Sequence, residues 1–250
     1  MHSALYIALV TAAVLGFRHG FDYDHIAAIT DVVSLQASRR ASMRLGMIYA
    51  LGHALTVAGL GSIVILLGIS LPAGIDRWAE RLVGVTLLVL GLYVLGTLLL
   101  KPKGPLPKSR YLLLHEGYHR IRMAFRWPNQ GFAGPGDPQE YTPPRNFDAR
   151  SVFVIGVIHG LGAETPSQLM IFLLAANLGG ATLGMLGLGM FLAGLLTMNA
   201  LMTASAAGIF GISERRPQLL RLVSAATALY SLVMGVLFLA GRSSLLPTLQ

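Results

Sequence analysis

The sequence contains no cysteine, and this absence restricts the chemistry available to the protein. Without thiols the chain has no disulfide, no thiolate ligand for a metal and no thiol redox centre. Charge is scarce as well, because only 12% of the residues are charged, 54% are apolar and the mean hydropathy is +0.64. A soluble domain needs a more polar surface. The composition therefore predicts a membrane protein.

Six apolar runs are long enough to cross the hydrocarbon core of a bilayer, which takes about 20 helical residues. The first run is interrupted by charged residues near its middle. We therefore expect an all-α membrane protein with six transmembrane helices, at 4–36, 45–70, 80–100, 151–176, 183–208 and 219–241.

Basic residues are distributed unevenly among the connections between these spans. Fifteen Lys and Arg fall at 37–44, at 101–150 and around 209–221, whereas the opposite set of connections holds three. Lys and Arg accumulate in cytoplasmic loops of membrane proteins. The distribution predicts a multi-pass protein of a bacterial-type inner membrane with both termini outside. It also accounts for the net charge of +8 without a nucleic-acid partner.

The one long hydrophilic stretch, 101–150, is rich in Pro, Gly and charged residues. This composition predicts a cytoplasmic linker. It divides the chain into a first half, 1–100, and a second half, 151–250, each with three spans. Because three is an odd number, a duplicated second half would enter the membrane in the opposite orientation. The halves would then form two inverted three-helix repeats, the architecture of many secondary transporters.

Matching residues support this duplication. Gly16, His19 and Gly20 in "GFRHG" correspond to "GVIHG" at 156–160, an offset of 140 residues, and the same offset relates two "RLV" tripeptides. Between these anchors, "GHALT" lies against "GLLT" near residue 194 with a slip of one residue.

The first span carries His19, Asp24 and His25 in the spacing H-x4-D-H. Ionisable groups at membrane depth cost about 2.5–3.5 kcal/mol each, so they need partners or a polar cavity. On a regular helix Asp24 would lie about 140° and His25 about 240° from His19. The three side chains can converge only if the backbone unwinds, and we place that break at Gly20. The matching break in the fourth span is expected at Gly160, Gly162 and Pro166.

Converging imidazole and carboxylate groups suit a divalent first-row metal ion. A hydrogen-bond network that only holds the spans together, or a proton relay without a metal, would use the same residues. We expect the metal-ligating side chains to include His53 and, from the second half, His159 and Glu164, which repeat the His-to-carboxylate spacing. The complete primary set is His19, Asp24, His25, His53, His159 and Glu164. A secondary set comprises Asp22, Thr165, Asn199 and His2.

The motif "RHGFDYDHI" resembles the signature of the nickel/cobalt transporter family (NiCoT) and the related NicO-type permeases. "LGHALTV" and "LGAETPSQ" are similar to further motifs of that family, and "GMFLAGLLTMNA" is loosely similar to a fourth. The resemblance implies transport of Ni²⁺ or Co²⁺ with His19, Asp24 and His25 required. Two features differ: larger members are described with eight spans, and the fourth motif here has Thr197 and Asn199 in place of its acidic residue.

We therefore expect a transporter of divalent transition metal ions, most simply Ni²⁺ or Co²⁺, with a site near the bilayer midplane. The metal is the substrate, and no cofactor is predicted. The alternatives are an intramembrane metal-dependent enzyme or a transporter of another divalent ion such as Fe²⁺, Mn²⁺ or Zn²⁺. The expected partners are the metal ion and the lipid bilayer, and the sequence indicates no particular oligomeric state.

The uneven distribution of basic residues generates a test of topology. A reporter fused after residue 125 should read as cytoplasmic, and one fused at the C-terminus should read as external, because Lys and Arg are retained on the cytoplasmic side. Paired alkaline phosphatase and fluorescent protein fusions measure both positions. An external reading at residue 125 would contradict the predicted orientation.

Overall fold

The computed structural model describes residues 2–36, 38–69, 74–100, 148–162, 176, 179–213, 216–242 and 245–246. Within these residues the regular elements are all α-helices, as the sequence predicts. The seven helices are α1 (His2–His19), α2 (Tyr23–Ser34), α3 (Arg39–Leu67), α4 (Ile75–Leu100), α5 (Ala149–His159), α6 (Ala181–Ser213) and α7 (Pro217–Leu239). Most of the predicted linker and the end of the fourth predicted span lie outside the described residues.

Four of these helices, α3, α4, α6 and α7, are long and apolar enough to cross a membrane. Each overlaps one predicted span but begins earlier than predicted, because helix starts depend on capping as well as on hydropathy. The hydroxyl of Ser38 accepts a hydrogen bond from the Ala41 amide at 3.2 Å, which starts α3 at Arg39. Pro217 occupies the first turn of α7, where its missing N–H costs nothing.

The first apolar run is divided into two helices at the predicted break. α1 ends at His19, and a turn at Gly20, Phe21 and Asp22 leads into α2. The turn is closed by two hydrogen bonds, from the Phe21 amide to the Arg18 carbonyl at 2.8 Å and from the Asp22 amide to the His19 carbonyl at 3.1 Å. In the second half α5 likewise ends at a histidine followed by glycine, His159 and Gly160.

The short helix α2 is enclosed by the rest of the bundle. Its twelve residues span about 18 Å, which is less than the hydrocarbon core of about 30 Å. Nine of the twelve are buried, and the helix packs against α3, α4, α5, α6 and α7. Irregular backbone at membrane depth is tolerated where protein surrounds it. The enclosure of α2 therefore permits the chain break that precedes it.

Glycines allow α1 and α6 to cross with their backbones in contact. A Cβ atom on Gly16 would overlap the Phe191 carbonyl, and one on Gly194 would overlap the Ala13 carbonyl. A Cβ on Gly20 would lie 2.8 Å from the Met198 side chain. Small residues serve this purpose in membrane bundles, where packing rather than the hydrophobic effect holds helices together.

Glycines bring α5 and α3 together in the same manner. Gly156 lies on the Tyr49 carbonyl and Gly52 on the Phe153 carbonyl, so neither position has room for a methyl group. A Cβ on Gly160 would lie 2.7 Å from the His53 carbonyl oxygen. This crossing fixes the height of His53 relative to α5.

The third close pair is α4 and α7. A Cβ on Gly84 would lie 2.9 Å from the Gly235 carbonyl oxygen, and a Cβ on Gly235 would lie 2.9 Å from the Gly84 carbonyl oxygen. Together with the direct packing of α3 on α6, these contacts join helices from the two halves of the chain.

The α5–α3 crossing predicts a large difference between two glycine-to-alanine substitutions. Gly156→Ala should destabilise the protein by about 1–3 kcal/mol, because the methyl group has no space against the Tyr49 backbone. Gly59→Ala, in α3 with open space around it, should leave stability unchanged or slightly raised, since alanine is the better helix former. Thermal unfolding of the purified variants in detergent measures both. Equal unfolding temperatures would show that the crossing does not depend on Gly156.

Candidate metal site

Three buried histidines form the centre of the site. One ring nitrogen from each of His19, His25 and His53 lies within 4.8 Å of the other two. The ring centroids are 5.0 Å apart for His19 and His25, 5.4 Å for His19 and His53, and 4.5 Å for His25 and His53. Nitrogens bound to one metal at about 2.1 Å in tetrahedral geometry lie about 3.4 Å apart. A contraction of at most about 1.4 Å would therefore place all three on one ion.

Three different helices supply these side chains. His19 is the last residue of α1, His25 lies in the first turn of α2, and His53 lies near the middle of α3. The turn between α1 and α2 brings His19 and His25 together, which a continuous helix could not do. The close contact of α1 with α6 at Gly16 and Gly194 fixes the position of the C-terminal end of α1. At this contact the ring centroids of Phe191 and His19 are 5.6 Å apart.

Asp22 orients His19. Asp22 is the N-cap residue of α2, yet its side chain makes no capping hydrogen bond. Its Oδ2 atom instead accepts a hydrogen bond from His19 Nδ1 at 2.7 Å. When Nδ1 donates this bond to an ionised carboxylate, a neutral imidazole carries its lone pair on Nε2. Nε2 is then the nitrogen through which His19 can bind a metal ion.

Asp24 orients His25 in the same way. Its Oδ1 atom accepts hydrogen bonds from His25 Nδ1 and from the His25 backbone amide, both at 3.0 Å. Asp22, Asp24 and His25 also form a second group with one potential ligand atom each within 4.8 Å. The two aspartates place two negative charges beside the imidazoles, which matches the charge of a divalent cation in a medium of low dielectric constant.

His53 differs from the other two histidines because it has no carboxylate partner in the described part of the chain. Its side chain is fully buried, and neither ring nitrogen has a hydrogen-bond partner among the described residues. A buried polar atom without a partner costs about 1–3 kcal/mol. Binding of a metal ion to one of these nitrogens would recover that cost.

His159 lies outside both groups of potential ligands. Its Nδ1 is 3.0 Å from the hydroxyl of Tyr49, and its Nε2 is 2.7 Å from the hydroxyl of Thr86. Both ring nitrogens are therefore occupied by hydrogen bonds within the bundle. The His159 ring packs against the ring of Tyr49, with centroids 5.7 Å apart, and both side chains are buried.

The remaining predicted residues are Asn199, Glu164, Thr165 and His2. Asn199 is buried on α6, and its side-chain amide has no hydrogen-bond partner among the residues described. Glu164 and Thr165 lie outside the described residues, and so does the side chain of His2.

Three further side chains at the site were not predicted from the sequence: Tyr49, Thr86 and Phe191. Tyr49 precedes His53 by four residues and so shares its helix face, a signal that was present in the sequence. Thr86 and Phe191 contact histidines more than 70 residues away in the chain. No local pattern points to these contacts.

Residues 5–101 match the NicO family, described as high-affinity nickel-transport protein. The chain is 47% identical over 58 residues to the cobalt transport protein NhlF of Rhodococcus rhodochrous. The aligned residues make up 23% of this chain and 16% of that protein. The chain is 24% identical over 180 residues to the nickel transporter NicT of Mycobacterium tuberculosis, covering 67% of this chain and 46% of that protein. No solved structure matches the chain.

These matches confirm the resemblance to nickel/cobalt transporters that the sequence motifs predicted. The matched region includes the first-half residues of the site, His19, Asp22, Asp24, His25 and His53. The chain spans less than half the length of the curated relatives that it matches. The family and both relatives are named as transporters, and none is named as an enzyme.

The geometry of the site predicts different losses for ligands and for orienting residues. His25→Ala or His53→Ala should abolish high-affinity Co²⁺ binding, because each removes one of three imidazoles. Asp24→Asn should weaken binding by about 10–100-fold, since it removes the carboxylate that fixes the His25 ring. Competition against a metal-chelating dye, with the purified protein in detergent, measures these affinities. If His53→Ala bound Co²⁺ as tightly as the wild type, His53 would not be a ligand.

Proposed function

We propose that this chain, a relative of nickel/cobalt transporters, carries divalent first-row metal ions across a membrane, with Ni²⁺ or Co²⁺ as its substrate. The observation that supports this proposal best is the group of three buried imidazoles, His19, His25 and His53, within reach of one ion. The family match over the same part of the chain supports the choice of metal.

Three neutral imidazoles form a suitable donor set for Ni²⁺ or Co²⁺. Cu⁺ is disfavoured because the chain offers no thiolate. In the proposed site the carboxylates of Asp22 and Asp24 hold the rings and balance the charge of the ion. Balanced charge matters because an uncompensated ion at membrane depth would be costly. His159 is not assigned as a ligand, since both of its ring nitrogens already make hydrogen bonds.

We further propose that the chain forms six membrane spans as two inverted three-helix repeats. The crossing of α1 with α6 and that of α5 with α3 support this arrangement, because equivalent residues occupy equivalent places in both. The contact of Gly16 with the Phe191 carbonyl corresponds to the contact of Gly156 with the Tyr49 carbonyl. The contact of Gly194 with the Ala13 carbonyl corresponds in the same way to the contact of Gly52 with the Phe153 carbonyl.

In this arrangement the first half, 1–100, holds the ligands and the second half, 151–250, packs around them, with 101–150 as a cytoplasmic linker. Both termini lie outside a bacterial-type inner membrane, consistent with the distribution of basic residues. The metal site lies near the midplane, where inverted-repeat transporters bind their substrates. Alternate opening of the two sides would then occur by motion of one half against the other.

Reconstituted protein tests the function directly. Liposomes that contain the wild-type chain and an internal metal-sensitive dye should accumulate Ni²⁺ or Co²⁺ faster than empty liposomes. His19→Ala and His25→Ala should lose this flux, because each removes a ligand. The matched control is His115→Ala, which removes a histidine from the predicted linker and should retain flux. Equal dye responses in empty and protein-containing liposomes would refute transport.

A further inference from the structure

The hydrogen bonds of His159 have a defined direction. The Thr86 hydroxyl donates to the Val83 carbonyl at 2.7 Å, so toward His159 it accepts a hydrogen bond from Nε2–H. A neutral imidazole with its proton on Nε2 carries its lone pair on Nδ1. The Tyr49 hydroxyl therefore donates to Nδ1, at 3.0 Å. The result is a buried chain of donors from Tyr49 through His159 to Thr86.

Tyr49 connects this chain of hydrogen bonds to the proposed ligands. Its ring is fully buried and stands edge-on to the His25 ring, with centroids 6.2 Å apart and an interplanar angle of 85°. Its centroid lies 6.4 Å from that of His53, one helical turn further along α3. His53 has no hydrogen-bond partner of its own among the described residues. Its orientation therefore depends on the packing of neighbours such as Tyr49.

The backbone of α3 is held by the same helix that carries His159. Gly156 of α5 lies on the Tyr49 carbonyl, and Gly160 lies close to the His53 carbonyl. The Tyr49–His159 hydrogen bond adds a side-chain connection to these two backbone contacts. One helix of the second half thus fixes both the height and the rotation of the segment of α3 that carries His53.

The crossing of α1 with α6 shows what the Tyr49 hydroxyl changes. There His19 takes the place of His159, and Phe191 takes the place of Tyr49, with the two rings 5.6 Å apart. Phenylalanine has no hydroxyl to offer, and His19 Nδ1 bonds to Asp22 instead. The Tyr49 hydroxyl therefore binds His159 by a hydrogen bond, whereas His19, which meets no hydroxyl at Phe191, belongs to the group of three proposed ligands.

We propose that His159 is a positioning residue that holds Tyr49, and through it His53, in the arrangement that binds the metal ion. This inference rests on the proposed function in one respect, namely that His19, His25 and His53 are the ligands. It follows that a movement of α5 away from α3 that breaks the Tyr49–His159 hydrogen bond lowers metal affinity. The second half of the chain thereby controls release of an ion held by the first half.

Two substitutions of His159 separate the two hydrogen bonds. His159→Asn keeps a polar atom near the Nδ1 position, facing Tyr49, and loses the bond to Thr86. His159→Gln keeps a polar atom near the Nε2 position, facing Thr86, and loses the bond to Tyr49. Each breaks one buried hydrogen bond, so the two variants should lose similar thermal stability. Tyr49→Phe removes the hydroxyl that bonds to His159, so it breaks the same bond as His159→Gln. Tyr93→Phe is the control for loss of a tyrosine hydroxyl elsewhere.

Co²⁺ titrations of the full chain in detergent, with the visible absorption spectrum of the bound ion, measure affinity and coordination together. His159→Gln and Tyr49→Phe should weaken Co²⁺ binding by about tenfold, the low end of the range for residues that support metal ligands. Both should also shift the absorption bands, because His53 is displaced. His159→Asn should retain the spectrum and affinity of the wild type because it keeps the bond to Tyr49. Tyr93→Phe should also leave both unchanged.

Wild-type affinity and spectrum in His159→Gln and Tyr49→Phe would overturn the inference. Equal weakening by the Asn and Gln variants would also overturn it, since the bond to Tyr49 would then have no special role. If the wild type binds Co²⁺ with these properties but shows no flux in liposomes, the proposed function fails and the positioning role stands. If the wild type binds no Co²⁺, both fail.

Discussion

Two hydrogen bonds between aspartate and histidine hold the turn between α1 and α2 in a defined shape. Asp22 bonds to His19 across the turn, and Asp24 bonds to His25 at the start of α2. Both imidazoles are buried and both carboxylates are mostly covered, so charge interactions between them are screened less than in water. The two bonds also decide which nitrogen of each ring is protonated. Without them the unwound segment would present imidazoles in no fixed orientation.

Close backbone contact supplies the precision that these side chains need. In a lipid environment the hydrophobic effect does not drive helices together, so the spacing of helices depends on how near their backbones can approach. Gly16 and Gly194 set the distance between α1 and α6, and Gly52 and Gly156 set that between α3 and α5. The three imidazoles come from α1, α2 and α3, and their mutual distances follow from these crossings.

Much of this arrangement could be predicted from the sequence because it depends on local spacing. The positions of His19, Asp24 and His25 required a break, and Gly20 marked its place. The support of His159 by Tyr49 and Thr86 could not be predicted, since the partners are 110 and 73 residues away and their hydroxyls resemble any other in an apolar helix. Nor could the sequence separate a carboxylate that orients a ring from one that binds metal, because both roles use the same spacing.

The enclosure of α2 has a consequence for the biogenesis of the protein. A segment of twelve residues that includes Asp24, His25 and Asp31 is too short and too polar to partition into lipid by itself. The helices that surround it include α6 and α7, which the ribosome produces more than 140 residues later. During synthesis α2 must therefore wait in a polar environment, at the translocon or at the membrane surface. Its burial is complete only when α6 and α7 are in place, so a nascent chain cannot enclose the three histidines before its second half has been made.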